Sequence, residues 1–242
     1  MQGVDASYDS LSDSEAQALR QAGVYVWAQC LWTGSGLTGT AQANLDVAIR
    51  NNLIPCGYIS VTSRQMGGYH VNQGRTAVNQ EVWDKLALVF IDVELEGIPN
   101  RTISEALDRV VALGKRKAIY TSSNAWRAYQ GNPIGFEDAL LWNANWDANP
   151  DVDYIDRAFG NWPITKLVGE QYSGGQNYLG VFVDRNIFDL DLLIERSPLP
   201  TDDQFLLAIK ILTSTAARVA GRQSPTSSQK AQIRYLSTIW GG

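Results

Sequence analysis

Apolar residues over the first 195 positions fall in short blocks, each closed by Gly, Pro, Asn or Ser, and two periods alternate along them. Residues 24–32 (VYVWAQCLW), 55–61 (PCGYISV), 87–95 (ALVFIDVEL) and 117–121 (KAIYT) are β-branched and aromatic runs of the kind that form buried strands. Residues 3–7 (GVDAS) read as a shorter strand at the start. Between them, residues 14–22, 41–53 and 76–86 carry helical spacing, the first with Ser12 or Ser14 as N-cap and Gly23 as stop. Thr102-Ile-Ser-Glu105 has the form of a capping box opening a helix to about Gly114, and residues 124–129 are helix-like. Past that point helices thin out. Residues 139–146 (ALLWNANW), 167–172 (LVGEQY) and 181–188 (VFVDRNIF) read as strands separated by loops, one of them 147–163.

Alternating strands and helices imply a parallel sheet with right-handed crossovers. Eight strands in roughly 190 residues fit a closed, TIM-like α/β barrel whose last three connections are not helical. An open doubly wound sheet would place a glycine fingerprint after its first strand, and GVDASYDS is not one. The barrel is expected over residues 1–195. Residues 196–242 are expected to supply a linker, beginning in ERSPLPTDD, and a helical hairpin. The first hairpin helix has Leu206, Ile209, Leu212, Ala216 and Val219 on one stripe, suited to packing on its own domain or to a docking or oligomer contact.

Composition narrows the function. The chain has 242 residues, a net charge of −5, and scattered Lys and Arg, which argues against a nucleic-acid partner. The one basic run, Lys115-Arg116-Lys117, reads as a solvated helix end. Cys30 and Cys56 lie in apolar strands and read as buried thiols; with no Cys/His cluster, neither a metal nor another cofactor is expected. The opening MQGVDAS has no basic-then-apolar pattern of a secretory signal, and no apolar run reaches membrane-spanning length. The expectation is a chain made in the cytoplasm with no membrane partner.

Residues 88–97 (LVFIDVELEG) pose the chemical question, because a buried strand here carries two carboxylates. Side chains alternate along a strand, so Phe90, Asp92 and Glu94 share one face and Ile91 and Val93 the other. With Ile and Val toward the helix layer, both acids face inward at the C-terminal end of the strand, where barrel active sites gather. Asp5 lies on the first strand and Asp184 on the last, which are neighbours in a closed barrel. Four acids thus ring one opening, with Tyr58, Tyr120, Trp142, Trp146 and Tyr172 available as aromatic platforms. Crowded carboxylates raise one another's proton affinity, so one stays protonated while another ionises, the split that glycosidic cleavage requires.

These residues, taken in order, resemble the glycoside hydrolase family 25 lysozymes, the Chalaropsis-type N-acetylmuramidases common among phage endolysins. The matching stretches are GVDAS, FIDVEL, AIYTS, LWNANW, EQYSGG and FVDRNIF, spanning about residues 3–188. The resemblance implies a (β/α)5(β)3 barrel and metal-free hydrolysis of the β-1,4 bond between N-acetylmuramic acid and N-acetylglucosamine in bacterial cell-wall peptidoglycan. It implies Glu94 as general acid/base and Asp92 as nucleophile or as the group orienting a substrate acetamido oxygen. Asp5 and Asp184 would set the charge of the site; Tyr58, Tyr120, Trp142, Gln171 and Tyr172 would line sugar subsites. Action on the wall after release, or carriage on a virion, follows from the same likeness. Two stretches depart from the family: WAQCLWTG replaces a KATEG-like second strand, and GYISV lacks the His-Phe that commonly follows the tyrosine. Both fall in the substrate cleft and bear on substrate more than on chemistry.

Other chemistries find less support. His70, the single histidine, sits in GGYHVNQG and reads as a loop residue, and no GxSxG nucleophile turn is present. Gly34–Gly39 (GSGLTG) lacks the Gly-Lys-Ser/Thr of a phosphate loop. A barrel that binds glycans or builds a phage particle without cutting, and a glycosidase for another polysaccharide, are the alternatives.

Overall fold

The computed structural model describes residues 1–152 and 159–194; the expected linker and hairpin of 196–242, with its apolar stripe, lie outside them. Eight strands close into a barrel in sequence order: β1 (Gln2–Ala6), β2 (Val24–Trp32), β3 (Ile54–Ser60), β4 (Val89–Asp92), β5 (Ala118–Thr121), β6 (Leu140–Ala144), β7 (Leu167–Tyr178) and β8 (Val181–Phe188). Helices α1 (Asp13–Gln21), α2 (Ala41–Arg50), α3 (Gly67–Thr76), α4 (Gln80–Lys85) and α5 (Asn100–Ala112) fill the first four crossovers. A π-helical turn, Ala125–Tyr129, stands in the fifth, and a short α6 (Leu190–Leu193) follows β8. This is the TIM-like α/β barrel expected, with no α-helix among the described residues of the three connections after β5.

The all-parallel expectation needs one correction. β1 to β7 run parallel, but β8 is antiparallel to both β7 and β1. Only Leu179 and Gly180 separate β7 from β8, and both have positive φ (55° and 98°), the two-residue turn that matches hairpin twist. A parallel neighbour would need a crossover of about a dozen residues. Reversal brings the first half of β8 to the mouth, and Asp184 pairs in register with Asp5 near the C-terminal end of β1.

Alternation sorts the core into two layers. Inside the barrel lie Cys30, Cys56, Tyr58, Phe90, Tyr120, Trp142 and Phe188, the two cysteines as free thiols. Outside, under the helices, lie Ile59, Ile91, Val93 and Leu141. Trp142 is fully buried and sits among the rings of Tyr120, Phe90, Phe188 and Tyr58, at centroid distances of 4.5, 5.0, 5.5 and 6.2 Å.

Several local expectations are corrected by tertiary packing. The helix read over 76–86 is shorter: Thr76 is the last residue of α3, and Asn79 opens α4 by accepting the Val82 N–H at 2.8 Å. The capping box belongs to Ser12 and Glu15 of α1, whereas α5 starts after Pro99 and buries Thr102 within it. The Lys115–Lys117 run is anchored rather than solvated: Lys115 donates to the carbonyls of Asp84 and Leu86, Arg116 donates to that of Leu193, and Lys117 pairs with Asp138. His70 is no loop residue. It lies in α3, fully buried, accepting the Trp32 indole N–H at Nδ1 (3.0 Å) with Nε2 against the Thr62 hydroxyl (3.3 Å), and burial lowers its pKa. Two ring nitrogens engaged by a neutral network leave it no catalytic role.

Helix α3 went unread because Gly67-Gly68 opens it, a poor helix signal with a packing reason. A Cβ on Gly67 would come within 1.9 Å of the Thr102 carbonyl oxygen and 2.5 Å of the Ala106 nitrogen in α5. At Gly68 the nearest atom would be 4.0 Å away. Chemical denaturation should therefore show Gly67→Ala losing about 2–3 kcal/mol or more by overpacking. Gly68→Ala should be neutral or gain up to about 1 kcal/mol from helix propensity. Equal effects would contradict the α3–α5 contact.

Candidate active site

The site is assembled from strand ends. Asp92 is the last residue of β4, paired in register with Ser60 of β3 and Tyr120 of β5. The chain beyond it stays in line, because the Val93 N–H donates to Tyr120 O (2.9 Å) and Val93 O accepts the Thr121 hydroxyl (2.6 Å). Glu94 thereby returns to the inner face, half-buried, and Gly97, at φ 71°, turns the loop away. Asp5 arrives from β1 and Asp184 from β8. Together with Tyr58, Ser60, Tyr120 and Gln171 they line a cavity of about 210 Å³, with the edge of Trp142 at its floor.

One buried amide organises the acids. Gln171 donates through Nε2 to Asp5 Oδ2 (2.9 Å) and Asp184 Oδ2 (3.2 Å). Its Oε1 accepts the Tyr120 hydroxyl (3.0 Å) and the Trp146 indole N–H (2.7 Å). Asn186 supports the same carboxylate, donating to Asp5 Oδ2 (2.7 Å) while accepting the Trp142 indole N–H (2.9 Å). Asp184 also accepts the Gly175 N–H, and Asp92 Oδ2 accepts the Ser60 hydroxyl. Asp92 Oδ1 is buried with no hydrogen-bond partner among the described residues.

None of the four acids forms an ion pair among the described residues. Burial pushes the Glu94 carboxyl up to about 8, reinforced by the charges of Asp92, Asp5 and Asp184. Asp5 is raised to about 7 by burial and then by Asp184, against the amides of Asn186 and Gln171. Asp92 is raised less, to about 6, because the Ser60 hydroxyl opposes burial. Burial raises Asp184 too, opposed by the Gly175 N–H. The arrangement supplies a carboxyl that keeps its proton at neutrality beside one that releases it, in a hollow with no cation among its described lining residues. No cluster of three metal-ligating side chains occurs among the described residues.

The structure brings Asp5, Asp92, Glu94 and Asp184 together and places Tyr58, Tyr120, Trp142 and Gln171 at the same cavity. Tyr172 is elsewhere. Alternation turns it to the opposite face of β7 from Gln171, where the Arg185 guanidinium lies 5.3 Å from its ring centroid. Trp146 is 68% exposed beside a second cleft lined by Ser122, Asn124, Arg127 and Asn145. Two residues escaped the sequence reading. Ser60 was findable as the register partner of Asp92, and Asn186 as the residue two beyond Asp184 on the same strand face.

No family model matches the chain, and no curated protein matches it. Solved structures do. A lysozyme from Streptomyces coelicolor superposes with a TM-score of 0.64 at 18% identity, covering 81% of this chain and 98% of its own. A muramidase from Trichobolus zukalii gives 0.60 at 16% identity, over 80% and 96%. A family 25 glycosyl hydrolase from Bacillus anthracis gives 0.61 at 15% identity, over 78% and 88%. The chain has the barrel fold of these lysozymes and muramidases, the fold of family 25 glycoside hydrolases.

Proposed function

We propose that the protein is a glycoside hydrolase that cuts the β-1,4 bond between N-acetylmuramic acid and N-acetylglucosamine in peptidoglycan. The observation that carries this reading is the split in proton affinity between Glu94 and Asp92 in one hollow whose described lining residues include no cation. The fold shared with lysozymes and muramidases supplies the substrate class.

Glu94 holds a proton at neutral pH and delivers it to the glycosidic oxygen as the bond to the anomeric carbon lengthens. Asp92 is the anion. Its carboxylate lines the cavity with Oδ2 held by the Ser60 hydroxyl, placed to accept the N–H of a substrate acetamido group or to meet the positive anomeric centre. Either route retains configuration at that carbon. Glu94, now ionised, takes the proton from the incoming water. Asp5 and Asp184, tied to Gln171, keep the surrounding field negative and sustain the proton on Glu94. Tyr58, with its hydroxyl against Ser7 (2.8 Å), and Tyr120 shape the wall that the sugar enters.

Glu94→Gln should lower the release of reducing ends from purified cell walls by about 10²–10⁴-fold or more. The wild-type profile should be bell-shaped, rising as Asp92 ionises near pH 6 and falling as Glu94 loses its proton near pH 8. Full activity in the variant would remove Glu94 from the acid role.

The same shift has a stability consequence. Folded Glu94 keeps its proton up to about pH 8, whereas the unfolded chain releases it near 4.5. The folded state therefore binds more protons in that window, and stability falls as pH rises through it. Glu94→Gln removes the penalty. Thermal melts should show the variant gaining on the wild type between pH 4.5 and 8, and a constant gap would contradict the assignment.

A further inference from the structure

The acid-lined hollow, at about 210 Å³, is below the ~300–1,000 Å³ usual for ligand pockets and holds only the reacting end of a chain. A polymer must continue along the rim. The adjoining cleft beyond β5 and β6, about 590 Å³, offers room, and the two are joined through Gln171, which faces the acids and accepts the indole N–H of Trp146. That bond and Gly174 fix the indole: a Cβ on Gly174 would meet the ring at 2.6 Å. An exposed, immobilised aromatic face beside a polar cleft is a sugar platform.

The charges in these two cavities are uneven. Of the described residues lining them, Arg127 alone is cationic. It is exposed, and it forms no ion pair or hydrogen bond among the described residues. A neutral glycan gives a guanidinium little to bind. A carboxylate matches its planar fork through two charge-assisted hydrogen bonds. A chain bearing carboxylates would be repelled by the ionised members of the acid ring unless a cation held that charge aside.

We propose that Arg127 makes the protein selective for glycans carrying a carboxylate substituent, held in the Trp146 cleft next to the acid ring. This rests on the hydrolase reading for its substrate, but the selectivity is a binding property and is testable without turnover. Two sources supply such a carboxylate in a muramic-acid polymer: the lactyl ether on the sugar itself, and the peptide attached to it.

The test is calorimetric binding with the full chain carrying Glu94→Gln, which prevents cleavage. The probes are chitotetraose, the disaccharide of N-acetylglucosamine and N-acetylmuramic acid, the same disaccharide with its lactyl carboxylate amidated, and the disaccharide bearing its peptide. The charged probes should bind about tenfold or more tighter than chitotetraose, with the preference fading in salt. Adding Arg127→Gln should bring the ratio to about one, while Arg127→Lys, which keeps the charge without the fork, should retain part of it. Loss on amidation identifies the lactyl group; preference only with the peptide identifies the peptide. A preference that survives Arg127→Gln in a chain with an unchanged melt, or the absence of any preference, overturns the inference. Wild-type protein that releases no wall fragments, with an Arg127-dependent preference intact, would instead overturn the hydrolase reading alone.

Discussion

The mouth of this barrel depends on the side-chain amide of Gln171. Two donors, the Tyr120 hydroxyl and the Trp146 indole, fix its oxygen, so its nitrogen must point at Asp5 and Asp184. One buried group thus fixes its own orientation, crosslinks the seam where β1, β7 and β8 close, and ties the exposed ring of Trp146 to the acids. Two carboxyls this close are hard to ionise together, and amide donors are a weaker remedy than a cation. The weaker remedy is the useful one: an arginine there would settle the charge and lower the proton affinity of Glu94.

The cost falls on stability. Four carboxyls with no ion pair among the described residues oppose folding once they ionise, and the structure offsets this with packing nearby. Trp142 and four neighbouring rings fill the barrel beneath the acids, and the apolar layer under the helices surrounds it. Chemistry and stability are segregated along the barrel axis, apolar below and acidic above, and parity decides which side chain faces which layer.

Parity is also what made much of the site legible. Asp92 and Glu94 share a face with Phe90 by alternation alone, and closure of the barrel makes the strands of Asp5 and Asp184 neighbours. What escaped was set by contacts distant in sequence. Ser60 and Asn186 are ordinary polar residues until register places them against Asp92 and Asp5. Tyr172 looked like a platform, but its neighbour Gln171 takes the inward position. Helix α3 was hidden because Gly67 at its start serves contact with α5 rather than helix propensity, and His70 with it. The direction of β8 was written in Leu179-Gly180, a turn too short for a crossover, yet the strand reading of β7 stopped at Tyr172 and left the whole stretch to Gly180 as loop.

The central claim is that Glu94 carries a proton at neutral pH because it is buried among other acids. The direct measurement is a carboxyl carbon-13 NMR titration of glutamate-labelled protein, with the Glu94 signal assigned by its loss in Glu94→Gln. The account predicts a protonated chemical shift at pH 7 and a midpoint near 8. A midpoint near 4.5, the value of a glutamate in water, would contradict it.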